Sequence, residues 1–145
     1  MSVRENIASN LLTVISNISS PAIKKATRQP FLLDELSEQQ YPAVMVQTSE
    51  ENRDDSELGS GARTRHGTID FVVLGFVKGA ESNIDTARNA LITAIETAIE
   101  TDITRNGNAL DSEVVQVETD EGSLFPVGGI KMTIRCMYEY QAGTP

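Results

Sequence analysis

The chain has 145 residues, with 12 Lys and Arg against 21 Asp and Glu and a formal net charge of −9; that length suits one domain, able to bury about 68–70% of its unfolded surface without a metal or a disulfide. With 39% hydrophobic and 23% charged residues, the composition is that of a globular chain, not a disordered one. The acidic excess speaks against a non-specific binder of the DNA backbone and against a basic membrane-surface protein, because both need clustered Lys and Arg.

Ser2 and Glu5 stand three apart, as a capping box requires, with the hydroxyl serving the Glu5 amide and the carboxylate reaching back. Val3, Ile7, Leu11, Val14, Ile15 and Ile18 then recur at three- and four-residue spacing, which predicts an amphipathic helix with that stripe on the core. Asn6, Asn10, Thr13 and Asn17 fall between and face outward; Ser19-Ser20-Pro21 ends the helix. Ala22 to Arg28 is short and extended, Pro30 keeps Gln29 out of a helix, and Asp34 to Glu38 suggests one helical turn. Tyr41 to Gln47 reads as a strand with Pro42 at its start, where a missing donor is tolerated. From Ser49 to Arg65 the chain is polar, with Leu58 as its one large apolar residue, and reads as a long loop or mobile arm. Its central part, Glu50–Ala62, holds too little apolar surface to fold alone. It is expected to order only against a partner, and its replacement by a short Gly-Ser turn to leave the melting temperature nearly unchanged.

Thr68 to Val77 reads as a strand with Ile69, Phe71, Val73 and Val77 on one face and Val72, Leu74 and Phe76 on the other. Both faces turn apolar toward its end, which predicts double coverage or a subunit contact there. Gly79 breaks the strand, and Ser82 or Asn83 caps a second helix with Asp85 in its first turn. Ile84, Ala87, Leu91, Ala94, Ile95, Ala98 and Ile99 form its narrow, alanine-rich stripe, and Arg105-Asn106-Gly107 supplies the stop. Val114, Val115 and Val117 make a short strand, and Asp120-Glu121-Gly122 a turn. After Pro126 comes a long strand in which Ile130, Met132, Ile134, Cys136, Tyr138 and Tyr140 alternate with Lys131, Thr133, Arg135, Met137 and Glu139. The order α-β-β-α-β-β, with strand pairs lacking crossover helices, predicts an α+β fold: a small antiparallel or mixed sheet with two main helices on one face and the 49–65 arm between the first two strands.

Chemistry is sparse. His66 is the only histidine and reads as solvated beside Arg63 and Arg65; Cys136 is the only cysteine, sits on the inward face of its strand and behaves as a small hydrophobe. Gly59-Ser60-Gly61-Ala62-Arg63 lacks the ending of a phosphate-binding loop and a strand before it. Asp111, Glu113, Glu118, Asp120 and Glu121 match no calcium-loop spacing and read as a solvated acidic rim. No catalytic, cofactor-binding or metal-ligating residue is therefore assigned. The N-terminus lacks a basic and apolar leader, and no window approaches the roughly 18 apolar residues of a membrane span, so neither secretion nor membrane insertion is expected.

Several stretches taken together resemble tail terminator (tail-tube capping) proteins of long-tailed bacteriophages and their minor tail and neck relatives. They are the opening helix ending near Ser20, the Tyr41-Pro42-Ala43-Val44-Met45-Val46 strand ahead of a Gly-containing polar arm, and Ala94-Ile95-Glu96-Thr97-Ala98-Ile99-Glu100-Thr101-Asp102. To these add Val115-Gln116-Val117-Glu118-Thr119-Asp120-Glu121-Gly122 and the closing strand after Pro126 that ends in Tyr138-Glu139-Tyr140. The resemblance covers nearly the whole of residues 1–145 as one domain and consists of element and turn patterns, with no invariant motif.

What it implies is a structural virion subunit, without an active site, that forms a homo-hexameric ring on the end of the tail tube. Such a ring stops tube polymerisation and offers a joining surface to neck or connector proteins, and to the sheath where a tail is contractile. It would be assembled in the host cytoplasm and reside in the virion at the head–tail junction. From residue 81 onward 11 acidic residues face 4 basic ones, so that part carries −7 of the −9; acid lining the ring would let DNA pass without sticking. The doubly apolar end of the 68–77 strand and an exposed sheet edge are the candidate subunit contacts. Other readings are a neck or tail-completion protein, a small ligand-binding α+β domain, and a hydrolase with a metal held by Asp70, Asp120 and Glu121.

Overall fold

The computed structural model describes residues 2–55, 64–80, 82–143 and 145. Its first element, α1 (Val3–Ser16), starts where the capping pattern places it, with Ser2 Oγ accepting from the Glu5 amide at 3.2 Å. The other half of the expected capping box does not form. The Glu5 carboxylate instead takes Arg28 Nη1 at 2.6 and 2.9 Å, because a guanidinium offers it a stronger, charge-assisted bond than one backbone amide. Ile7, Ala8, Leu11 and Ile15 are buried while Val14 is only half-buried, so the core-facing row runs through Ala8. The helix stops at Ser16, and the Asn17 amide donates to Thr13 O at 3.1 Å.

The extended stretch after Pro21 yields a three-residue strand, β1 (Lys25–Thr27), lying parallel to β2 (Ala43–Asp55). Between them, two short 3-10 turns, Leu33–Glu35 and Glu38–Gln40, stand where one helical turn was expected. β2 pairs antiparallel with β3 (Thr64–Lys78) from Ala43–Phe76 out to Asp55–Arg65. Ser49 to Asp55, expected in a loop, is thus strand, and so are Thr64 and Arg65. An irregularity between Thr48 and Glu51 lets this polar stretch join the ladder and turns Glu51 toward the helix-covered face, opposite Ile69. The rest of the expected arm, 56–63, lies outside the described residues. Replacing Glu50–Ala62 by a short turn would remove part of this ladder, so the sequence-based expectation of an unchanged melting temperature does not stand.

α2 (Ile84–Thr101), β4 (Asp111–Thr119) and β5 (Val127–Gln141) complete a mixed five-stranded sheet in the order β1-β2-β3-β5-β4, parallel only at β1/β2. The fold is α+β with the helices on one face, as the strand pattern predicts, with β1 as an added edge strand. Asn83 is the α2 cap, but its Oδ1 accepts from the Ala80 amide at 3.0 Å rather than from the helix. The core joins Ile7, Leu11 and Ile15 of α1 and Leu91, Ile95 and Ile99 of α2 to Val44, Val46, Phe71, Val73, Met132 and Ile134 of the sheet. The period-two assignment of β5 holds along its length: Ile130, Met132, Ile134, Cys136, Tyr138 and Tyr140 are all buried.

Two glycines let this layer close. A side chain at Gly75 would stand 2.9 Å from both Leu91 and Ile130, so its absence lets α2 lie close on the sheet. At Gly67 a Cβ would meet the Tyr138 ring at 2.6 Å; the aromatic from the facing position of β5 occupies the place a side chain would take.

Candidate functional surfaces

Every carboxylate considered as a metal ligand can now be placed. Asp70, on the open face of the sheet, receives Arg135 Nε at 2.9 Å and Nη2 at 3.2 Å. Asp120 accepts from Arg88 and, through Oδ2, from the Leu124 amide at 3.0 Å. Its own amide bonds Gly129 O at 3.1 Å, six residues along β5 from Arg135 and hence roughly 20 Å from Asp70. Asp70, Asp120 and Glu121 are therefore not brought together, although Glu121 adjoins Asp120 in the turn. Asp111, Glu113 and Glu118 are strung along β4, and among the described residues no group of three or more His, Cys, Asp or Glu could hold a metal ion. The His66 side chain is solvent-exposed, as its sequence suggests, but it lies in β3 and not in a loop, and its Nε2 is 2.7 Å from Glu139 Oε1 on the facing position of β5.

Asp120 is not part of a solvated rim, its side chain being only 7% exposed beside Arg88, and sequence reasoning missed three further charged residues that the fold takes inside. Arg88 falls in the buried row of α2, between Ile84 and Leu91, and clamps the β4–β5 turn through Asp120; its Nη2 also reaches Asp85 at 3.0 Å. Its 84-88-91-95 spacing was the available signal, outweighed by its charge. Arg105, in the left-handed region at φ 49°, is fully buried. Its Nη2 donates to Ile99 O at 2.6 Å and to Asp102 O, satisfying carbonyls left over at the C-terminal end of α2. Burial pulls its pKa below the usual value, yet arginine remains charged there. Cys136 Sγ lies 3.5 Å from Ser112 Oγ, and burial pushes the thiol pKa up, as suits an unreactive core residue.

The third is Glu51. Its side chain is only 8% exposed, pairs with Arg53 and Arg4, and accepts from Tyr138 Oη at 3.0 Å. Arg53 also lies over the Tyr140 ring, 4.9 Å from its centroid, and the two tyrosine rings stack at 5.5 Å. Here the apolar core gives way to a charged, aromatic end. Burial and the adjacent carboxylate push the Tyr138 hydroxyl up to about 12. Since the folded state favours the protonated form, this contribution is full below the unfolded pKa of about 10 and is lost as the pH rises from there through about 12. Tyr138→Phe should cost about 1–2 kcal/mol in a urea titration at pH 7; an unchanged midpoint would mean that the hydroxyl bond carries no weight.

Among the described residues, three surfaces stay open. The first is a shallow groove of about 690 Å³ between the end of α1 and α2, lined by Ile18, Ser19, Ser20, Ala90, Ala94, Ala98 and neighbouring threonines, with no charged residue in its wall. The second is the sheet face away from the helices. Val72, Leu74 and Phe76 are only half-buried there, and Phe31 covers Phe76 edge-on at 6.0 Å between centroids. The doubly apolar end of β3 is thus partly covered by its own chain. The third is the pair of sheet edges, β1 and β4, each bonded by a strand on one side only among the described residues. On β4, Val115 is 39% and Val117 42% exposed. No helix among the described residues is long and apolar enough to cross a membrane.

No family model matches the chain, and no curated protein matches it. Among solved structures the chain is similar to one chain of the virion of a native gene transfer agent particle, at 15% identity and a TM-score of 0.49, over 96% of this chain and 92% of that chain.

Proposed function

We propose that the chain is a structural virion protein, not an enzyme, and that it caps the end of a phage tail tube as a ring of six. The ring stops tube polymerisation and offers the neck its joining surface. The observation that carries this reading is the one-sided sheet with two free, dissimilar edges, found in the α+β arrangement that the resemblance to tail terminators implies. Dissimilar edges suit a head-to-tail contact, the kind that closes into a ring, whereas a two-fold dimer needs one patch facing itself. The exposed valines of β4 supply apolar surface for such a contact. Asp70 and Asp120 are each held by an arginine, which fits a subunit whose charges serve packing.

The acid carried by residues 81–145 supports a lumen that repels phosphate, so that DNA passes without specific binding. Light scattering on the purified chain, with and without purified tail tubes, tests the reading. A ring-sized species, or co-sedimentation with tubes, is expected; a strict monomer that ignores tubes would overturn it.

A further inference from the structure

We infer that the ring closes by edge-to-edge strand addition, β4 of one copy lying against β1 of the next, with an acidic edge meeting a basic one. The inference rests on the ring reading above and names its contact. β4 carries Glu113 and Glu118 on the open face of the sheet, opposite Arg135 and Lys131 of β5, with the exposed Val115 and Val117 between them. The other edge is basic. Lys24 is exposed, and Lys25 lies 5.7 Å from the centroid of Phe31, the ring that packs on Phe76. That contact places Lys25 on the same open face as Glu113 and Glu118. Among the described residues, none of these four charges forms an ion pair within 4.0 Å in its own chain, Glu113 acting on the facing Arg135 only at longer range.

Charge decides the partner. Two β4 edges laid together would bring carboxylates face to face, and two β1 edges ammonium groups, each unfavourable across a strand pair. Only β4 against β1 brings unlike charges together on one face, while the backbone groups at both edges gain partners. The contact is heterologous, so an open row of copies keeps one free edge of each kind, at its two ends, until the ring closes.

The test uses two charge-reversed full-length proteins, Lys24→Glu with Lys25→Glu, and Glu113→Lys with Glu118→Lys, each confirmed as folded by circular dichroism. Each alone should associate about tenfold more weakly than the wild type, by sedimentation or by tube capping. Mixed in equal amounts they should recover it, since acidic and basic copies can alternate around a ring of six. Val117→Lys probes the same edge without facing Arg135 or Lys131 and should weaken association similarly. Wild-type association in either reversed protein, or mixing without recovery, would overturn the edge pairing while leaving the ring reading intact. A wild type that neither self-associates nor binds tubes would instead remove the ring reading.

Discussion

Asp120→Ala is expected to destabilise the fold by about 3 kcal/mol, because it leaves the Arg88 guanidinium inside without its main partner. The Arg88 and Asp120 side chains are only 8% and 7% exposed, so water does little to replace the lost carboxylate. Arg88 keeps the exposed Asp85, which holds the loss at the lower end of the range for a broken buried pair. The same change frees the Leu124 amide and loosens the β4–β5 turn. The pair also sets an acid limit. Burial works against ionisation of Asp120, but the Leu124 amide and Arg88 outweigh it and hold the carboxyl below its usual range. A depressed folded pKa gives stability that is full above the unfolded value of about 4 and lost as the pH falls through the folded one. Urea midpoints measured from pH 6 down to pH 2.5 should therefore converge for the wild type and Asp120→Ala at the acid end. A constant gap across that range would show that the loss comes from the turn and not from the charge.

Ile134→Ala should cost about 2–5 kcal/mol, since Ile134, in the middle of β5, is fully buried in the core between the sheet and the helices. For a chain of this length, that corresponds to a fall in melting temperature on the order of 10 °C. The adjacent Arg135→Ala is the control. Arg135 points to the open face and is 45% exposed, so losing its pair with Asp70 should leave the melting temperature nearly unchanged. Comparable losses in both would mean that β5 is out of register by one residue, which would exchange its faces.

Where periodicity was sustained, it located the element and its buried face. β5 alternates over eleven residues without interruption, and α2 keeps its 84-91-95-99 row, so both could be placed from sequence. The sequence around β1 suggests only an extended segment, because three residues cannot announce a strand; its place comes from pairing with Ala43–Met45. The polar run 49–55 misled for a physical reason. A strand hydrogen-bonds through its backbone, so a polar sequence with a buried Glu51 can enter a ladder when arginines and a tyrosine satisfy the carboxylate. Arg88 and Arg105 escaped for the same reason: charge argues for the surface until partners from distant segments are known. The surfaces were partly legible. An exposed sheet edge could be anticipated, whereas the contrast between acidic β4 and basic β1 needed the strand order, because only topology sets those two strands at opposite ends of one sheet.

The role proposed for this chain is to end a tube. Its most direct test is to polymerise purified tail-tube protein with and without the chain and to measure tubes in negative stain. A ring of density on one end of each tube and arrested elongation are expected, so that mean tube length falls as the chain is added. Tubes of unchanged length with bare ends, at concentrations where the chain is folded and in excess, would contradict it.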